Sequence, residues 1–293
     1  MATMVHQKEI AAVVVLYHPD DTVLNNINTY IYQVDVIFVI DNTGLKFTNA
    51  DLISKIKNMK KIFYIPNNEN LGIAKALNIG AAYAIKSGYN FLLTMDQDSR
   101  ATPTMVADLI NCRAMRDHAT LGILSPFHST IATPTPPIDR KHQQVLTAWT
   151  SGSLLNLKAY RRTGPFNESL FIDFVDHEYC LRLNLAGYKI FKVNKAVLHH
   201  EIGNQRRHKL LWISPVSSNH SALRRYYITR NRFYLASRFK NDFPSFFRKD
   251  FVTFLKELVV IFLFERKKID KYKMIFYGFC DYRKGILGKF QQQ

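Results

Sequence analysis

The sequence predicts an α/β protein built on a doubly wound mixed sheet, followed by a basic helical C-terminal extension. Three observations point there. Short β-branched or aromatic apolar runs alternate with helix-length segments through the first hundred residues, each run ends in a polar cluster, and the charge balance shifts abruptly near Asn204. With 293 residues, 47% of them hydrophobic and 13% aromatic, the chain can bury a full core as one large domain or as a domain with an appendage.

The runs Ile10 to Tyr17, Val34 to Ile40, Lys61 to Ile65 and Tyr89 to Met95 read as strands buried on both faces, as in a parallel sheet. Helical segments are expected near 20–33, 50–59 and 71–87, the last with Asn70 as N-cap and Gly88 as the stop. A βαβαβαβ series of this kind winds into a sheet whose ligands sit beyond the carboxyl ends of the strands. A further strand is expected over 188–198, and a helix carrying Arg224, Arg225, Tyr226, Tyr227, Arg230 and Asn231. On that helix the spacing places Tyr226, Tyr227 and Arg230 on one face.

The strand exits are polar in an organised way. They read Tyr17-His18-Pro19-Asp20, Asp41-Asn42-Thr43, Pro66-Asn67-Asn68-Glu69-Asn70 and Asp96-Gln97-Asp98-Ser99. Two carboxylates one residue apart at the end of a buried strand are costly unless a cation or hydrogen-bond donors meet them. The Asp96-Gln97-Asp98 turn therefore suggests a divalent metal carrying a phosphorylated ligand. No GxGxxG follows the first strand and no GxxxxGK[ST] occurs, so dinucleotide and P-loop binding lose support.

Residues 1–204 carry 20 Lys+Arg and 17 Asp+Glu, net +3, whereas residues 205–293 carry 20 and 6, net +14. Within 246–264 cations are interleaved with large apolar residues, and Arg266-Lys267-Lys268 follow, as in a basic helix lying in a lipid interface. No nucleic-acid recognition pattern accompanies the charge. The first apolar run follows a polar segment without an export signature, and Leu258 to Phe264 falls far short of a bilayer span. Cys112, Cys180 and Cys280 are too few and scattered for a disulfide framework, which fits a reducing compartment. The expectation is a cytoplasmic protein, peripheral on a membrane, with residues 1–204 as the core and 205–293 as the helical attachment region.

The succession VVVLYHPD, VIDNT, NNENLGIAKALNIGA, LLTMDQDS, TSGSLLN, FIDFVDHEYCLRL and LHHEIG resembles the inverting family 2 glycosyltransferases with the GT-A fold, in particular their bacterial rhamnosyltransferase branch. The likeness runs from about residue 10 to 235, and MDQDS with FIDFVDHEYCLRL is its most discriminating pair. It implies a nucleotide-sugar half over about 1–100 and an acceptor half over about 101–204.

The resemblance implies roles for particular residues. Asp41 would contact the nucleobase; Tyr17, Asn70, Gly72, Asn78 and Gln97 would line the nucleotide-sugar pocket; Asp96 would reach the ribose; and Asp98 would ligate Mg²⁺ or Mn²⁺ on the diphosphate, with His200 as a further metal ligand. Asp176 matches the family's catalytic base, while Val175 stands where the motif has a Glu, a loss that Asp173 would offset. Crowding by neighbouring acids should raise the pKa of Asp176. Ser151, Gly152, Asp173 and Glu178 would stand on the acceptor side, and Arg230 would meet the donor phosphates.

The expected activity is transfer of a sugar, L-rhamnose from dTDP-L-rhamnose, onto a glycan hydroxyl at the inner face of a bacterial membrane, with a polyprenyl-diphosphate-linked acceptor and an anionic lipid surface as partners. A UDP-hexose or UDP-galactofuranose donor, and a non-catalytic nucleotide-sugar-binding scaffold, remain as alternatives.

Overall fold

The computed structural model describes residues 9–47, 49–117, 119–130, 133–137, 142–199, 206–208 and 216–291. The first part of the chain runs β1 (Ile10–Leu16), α1 (Thr22–Asn28), β2 (Val36–Asp41), α2 (Ala50–Asn58), β3 (Ile62–Pro66), α3 (Ile73–Lys86) and β4 (Phe91–Asp96). It continues with β5 (Arg100–Ala101), α4 (Met105–Ile110), β6 (Leu121–Ser129), β7 (His142–Val145), β8 (Ser153–Asn156), α5 (Leu157–Thr163), α6 (Val175–Leu185) and β9 (Lys189–His199). After the small β10 (Arg206–Arg207) and β11 (Val216–Ser217) come three helices, α7 (Ala222–Phe239), α8 (Pro244–Phe264) and α9 (Lys268–Lys284).

Among the described residues nine strands form one sheet in the order β3-β2-β1-β4-β8-β6-β9-β5, with β7 paired to β9. The first four strands are mutually parallel, β8 runs against both β4 and β6, and β9 is parallel to β6. The exits of β1, β2, β3 and β4 therefore share a rim with the Thr150-Ser151-Gly152 turn that enters β8. The far end of β9 returns to the same rim, where His199 pairs with Arg100, two residues beyond Asp98.

Every residue of β1 is buried, because helices cover both faces of the sheet and no solvent side exists to favour alternation. Ala12, Val14 and Leu16 belong to one core with residues of α1, α2 and α4; Ala11, Val13 and Val15 belong to the other with α3, α5, α6 and α7. Helix α3 approaches β1 closely at Gly80, where a Cβ would lie 2.3 Å from Val13 Cγ2.

Two expected helix details are corrected. The N-cap of α3 is Gly72, at φ +84, and Asn70 instead accepts a hydrogen bond from the Gly72 N–H at 3.0 Å. A Cβ at Gly72 would stand 2.5 Å from the Phe171 carbonyl oxygen, so close backbone approach as well as φ demands glycine there. The single helix expected near 20–33 breaks into α1 and a 3₁₀ turn over Ile31–Gln33. The Thr29 hydroxyl accepts from the Ala101 N–H, and Gln33 donates to the carbonyls of Thr29 and Thr102, so contacts with the β5 region override local helix continuation. Gly88, at φ +83, follows the end of α3 as expected.

The C-terminal helices are built into the molecule. Helix α9 crosses α7 at Gly278, where a Cβ would be 2.5 Å from the Tyr226 carbonyl. Phe247 of α8 joins the core cluster with Leu235 and Phe239 of α7. Arg225, Glu265 and Lys271 form a buried ionic triad, with Arg225 Nη2 at 2.9 Å and Lys271 Nζ at 2.7 Å from the Glu265 carboxylate. Burial would raise the pKa of Glu265, but the Lys271 and Arg225 cations outweigh it and hold the carboxyl below its usual value.

Candidate active site

A cavity of about 670 Å³ opens on the shared rim. One wall comes from the first half of the chain, through Tyr17, Asn42, Asn70, Gly72, Asp96, Gln97 and Asp98. The opposite wall comes from Trp149, Thr150 and Ser151, from residues 171–177 around the start of α6, and from His220, Arg224, Arg232 and Glu257 of the C-terminal region.

The β4 exit is tied down on three sides. Gln97 accepts from the Tyr17 N–H at 2.8 Å and donates back to the Tyr17 carbonyl at 3.2 Å, locking the exits of β1 and β4 together. Asn26 donates to the Gln97 carbonyl at 2.8 Å. Ser151 accepts from the Asp96 N–H at 3.0 Å and donates to Ser99 at 2.8 Å, so this cavity-lining residue positions the acidic turn. Gly152, at φ +75, gives its N–H to the Thr94 carbonyl and packs where a Cβ would be 2.7 Å from Pro126 Cγ; it does not line the cavity.

Several other expected site residues are turned to internal work. Asp41 is 3% exposed, with one oxygen accepting from the Tyr64 hydroxyl at 2.6 Å and the other from the Thr43 N–H at 2.7 Å; its neighbour Asn42 presents the cavity surface. Asn78 accepts from the Tyr160 hydroxyl and the Phe166 N–H and donates to the Phe166 carbonyl and Glu168, pinning α3 to the 166–168 segment. Glu178 is buried under a bidentate Arg182, which also donates to the carbonyls of Thr163 and Pro165. None of the three lines the cavity. His200 lies outside the described residues.

The largest correction concerns the arginines of α7. Arg230 is 0% exposed and donates to the carbonyls of Gly288 and Leu170 and to Asn231, under the rings of Tyr226 and Tyr227. It is a structural clamp away from the cavity, and Arg224 and Arg232 are the arginines that line it. Burial opposes the Arg224 charge, but Asp173, Asp96 and Asp98 outweigh that and raise its pKa, so a positive charge faces the acidic turn. On the same wall burial, reinforced by Arg224 and Arg225, pushes the His220 imidazole down to about 3. His220 is thus neutral at ordinary working pH.

The turn before α6 carries unusual backbone. Phe171, Asp173 and Phe174 all take left-handed φ, at 66°, 61° and 63°. Non-glycine residues adopt that region at a cost and persist there only when surroundings dictate it. Asn231 supplies that dictation by donating to the carbonyls of Leu170, Ile172 and Asp173 at 3.0, 2.8 and 2.9 Å. The strained turn swings Asp173 and Asp176 onto the cavity wall. Asp173 is bound by Arg224 at 3.0 Å; burial pushes its carboxyl up although Arg224 pulls it down.

Asp176 sits in the first turn of α6, with Oδ1 accepting from both the backbone N–H and the Nδ1 of His177 at 2.8 Å. The expected upward shift of its pKa is not found. Burial pushes the carboxyl up, but the His177 charge and hydrogen bonds outweigh it, and the group lies below its ordinary value. The crowding acid, Asp173, is engaged by Arg224 instead.

The cavity therefore sets an acidic turn on one wall and the Asp176 carboxylate, at a helix start, on the other, with Arg224 facing the turn. A relative from Shigella flexneri, dTDP-rhamnosyl transferase RfbF, is 30% identical over 253 residues, which cover 77% of this chain and 79% of that protein. The chain belongs to glycosyl transferase family 2. The family model itself matches residues 12–134. Among solved structures, S. aureus TarS 1-349 in complex with UDP-GlcNAc aligns with a TM-score of 0.61 at 13% identity, covering 95% of this chain and 81% of that one. GalNAc-T7 with UDP, GalNAc and Mn²⁺ aligns at 0.59 and 13% identity over 80% of this chain, which spans only 51% of the GalNAc-T7 chain. At these identities the likeness is one of fold, and the fold of this glycosyltransferase is GT-A.

For this glycosyltransferase the donor chemistry of the rim suits a hard divalent cation. The side chains of Asp96 and Asp98 at the β4 exit offer oxygen and no thiol, and would suit a cation of the Mg²⁺ or Mn²⁺ type. Among the described residues no cluster of three or more His, Cys, Asp or Glu side chains is arranged to hold a metal alone.

Proposed function

We propose that this glycosyltransferase moves L-rhamnose from dTDP-L-rhamnose onto a hydroxyl of a lipid-linked glycan, with inversion at the anomeric carbon. The observation that carries the reading is the alignment with a dTDP-rhamnosyl transferase over most of both chains. In this reading the β1, β2 and β4 exits hold the nucleotide, with Asp96 toward the ribose. Arg224, rather than Arg230, takes the phosphate-facing place, because it lines the cavity and Arg230 does not. Asp98 would hold the divalent cation, which supplies Lewis-acid neutralisation of the diphosphate worth several kcal/mol. Asp176 accepts the proton of the acceptor hydroxyl as that oxygen attacks the anomeric carbon from the face opposite the leaving nucleotide.

Turnover against a panel of dTDP- and UDP-sugars with Mg²⁺, Mn²⁺ or EDTA tests the reading. Transfer confined to dTDP-rhamnose and lost in EDTA is the expected result; preference for a UDP-sugar overturns the donor. Asp98→Asn should weaken metal-dependent donor binding about 100-fold, the equivalent of ~3 kcal/mol. An unchanged metal requirement would remove Asp98 from that role.

The division of labour we propose places catalysis in residues 1–204 and attachment to an anionic membrane surface in 205–293, the latter also contributing Arg224, Arg232 and Glu257 to the cavity wall. On α8 only Phe247, Phe254 and Ile261 are buried, while Phe251, Val252, Leu255, Val259, Phe262 and Leu263 are exposed. Ile269 and Phe276 of α9 are 83% and 63% exposed. Lys249, Lys256, Arg266, Lys267, Lys268 and Lys273 stand exposed on the same helices and their connecting turn. Exposed apolar side chains rimmed by cations suit the headgroup boundary of an anionic leaflet, where a polyprenyl-diphosphate acceptor would be presented. No helix among the described residues is long and apolar enough to cross a membrane.

Deleting residues 241–293 would remove Phe247 from the core and Gly288 from Arg230, so point variants are the better probe. Replacing Phe251, Leu255 and Phe262 together by Ser should lower partitioning onto anionic vesicles about 1,000-fold or more, given ~1.5 kcal/mol or more per buried side chain. Melting temperature should not change. Equal flotation of variant and parent would count against the attachment surface.

A further inference from the structure

His177 occupies a position that neither the family resemblance nor the proposed mechanism uses. Its backbone N–H and its Nδ1 both reach Asp176 Oδ1 at 2.8 Å, and these are the hydrogen bonds that another described residue gives that carboxylate. Oδ1 is thereby occupied from two directions. Asp176 still lines the cavity, so Oδ2 is the oxygen left to meet a substrate.

The imidazole is itself fixed. Its ring lies 5.3 Å from that of Phe174 and 6.0 Å from that of Phe246, between the strained turn and the start of α8. Two charged groups face it from the packed helices, Arg232 of α7 and Asp250 of α8. These satisfy each other through an Arg232 Nε to Asp250 Oδ2 contact of 3.0 Å, and Arg232 also reaches Glu257 at 3.2 Å. Asp173, which faces Asp176 from the turn, is held by Arg224. The Cys180 thiol, on the same helix, is pushed up to about 12 by burial and stays neutral. Among these groups the His177 imidazole is the one whose ordinary titration lies near neutral pH, beside an Asp176 carboxylate that stays ionised.

We propose that His177 is a positioning residue for the base: it locks Asp176 with Oδ2 toward the acceptor, and its protonation state governs how readily Asp176 takes the acceptor's proton. The inference rests on Asp176 being the base. With imidazolium beside it, a carboxylate resists protonation, because the positive charge favours the anion. With neutral imidazole the Nδ1–H bond to Oδ1 persists and the orientation is kept, but the opposing charge is gone. Burial lowers the His177 pKa, but Asp176 outweighs it and raises the group above its ordinary value of 6.5. The proton therefore leaves as pH climbs above 6.5, and the transfer rate should rise with it.

The test is the single-turnover rate at saturating donor from pH 5.5 to 9, in the full-length protein. The parent should show a rise above pH 6.5. In His177→Asn the amide N–H replaces the Nδ1–H donor without a titratable charge, so the rate should stay within about fivefold of the parent plateau and lose that rise. His177→Ala, lacking the donor, should fall about 10- to 100-fold with donor affinity unchanged, as misoriented catalytic groups do. An Asn variant that keeps the parent's pH profile, or an Ala variant at full rate, overturns the proposal. Nitrogen-15 NMR of the imidazole in the parent and in Asp176→Asn is an independent readout: the His177 pKa should drop when the carboxylate is removed, and no drop would equally overturn it. If Asp176→Asn retains turnover, the assignment of the base fails instead, so the two failures are distinguishable.

Discussion

Replacing Asp176 by Asn is expected to cut sugar transfer about 1,000-fold or more while leaving nucleotide-sugar affinity within about twofold, the range seen when a positioned general base is lost. An acceptor hydroxyl is a very weak acid, so its attack needs a group to take the proton as the bond to carbon forms. Asn has the shape of Asp and its oxygen still accepts from the His177 N–H, so the start of α6 should fold unchanged. It has no anionic oxygen to receive the proton. The donor side, around Asp96, Gln97 and Asp98, is held by Tyr17, Asn26 and Ser151 and does not depend on α6. Single-turnover transfer together with calorimetric donor binding checks both halves of the expectation. Retained turnover would displace Asp176 as the base, and lost donor binding would move it to the nucleotide side.

Arg230→Met should lower stability by ~3–5 kcal/mol, a fall in melting temperature on the order of 10 °C, with little change in the donor KM of the folded fraction. The guanidinium is wholly buried and joins three parts of the chain: the Leu170 carbonyl beside the strained turn, the Gly288 carbonyl after α9, and Asn231 on its own helix. A methionine fills similar volume and satisfies none of these acceptors. Unmet buried polar groups cost about 1–3 kcal/mol each, although Leu170 O keeps its bond from Asn231. The rings of Tyr226 and Tyr227, 5.3 and 5.1 Å from the guanidinium carbon, lose a cation as well. Calorimetric melting and donor kinetics decide it: a raised donor KM at unchanged melting temperature would return Arg230 to the phosphates.

The contrast between Arg230 and Arg224 marks where sequence reasoning stops. Six residues on a 3.6-residue helix set them about 120° apart, so α7 cannot offer both to one ligand; Arg232, eight residues from Arg224, comes back to within about 80°. Periodicity states these angles but not which direction faces the cavity. That depends on how α7 rolls against α9, and the roll is fixed by the close approach of Gly278 to the Tyr226 carbonyl. Asn231 was equally hidden. Its sequence neighbours suggest an ordinary polar helix residue, and its work of holding three carbonyls lies about sixty residues away.

Other parts were legible because their cause is local. The run of β1 is apolar throughout and that of β4 apolar but for Thr94 before its terminal Asp96, as suits strands covered on both faces, and the acidic turn after β4 reaches the cavity rim because parallel strands deliver their exits to one side. Asp41 and Asn78 show the limit of that reasoning. Each lies on the element the pattern predicts, yet Tyr64 and Thr43 engage the Asp41 carboxylate and the 160–168 segment engages the Asn78 amide.

By itself, then, the sequence determined the succession of strands and helices, the polar rim, the acidic Asp96-Gln97-Asp98 turn and the basic, apolar-rich surface of the last helices. These follow from patterns within ten or twenty residues, where side-chain period and turn chemistry act without help from distant chain. Only the tertiary structure decided which polar residues face the cavity and which are spent on the scaffold. A hydrogen-bonding side chain has few partners to offer, and whether a ligand or a distant backbone carbonyl takes them is settled by contacts that no local window contains.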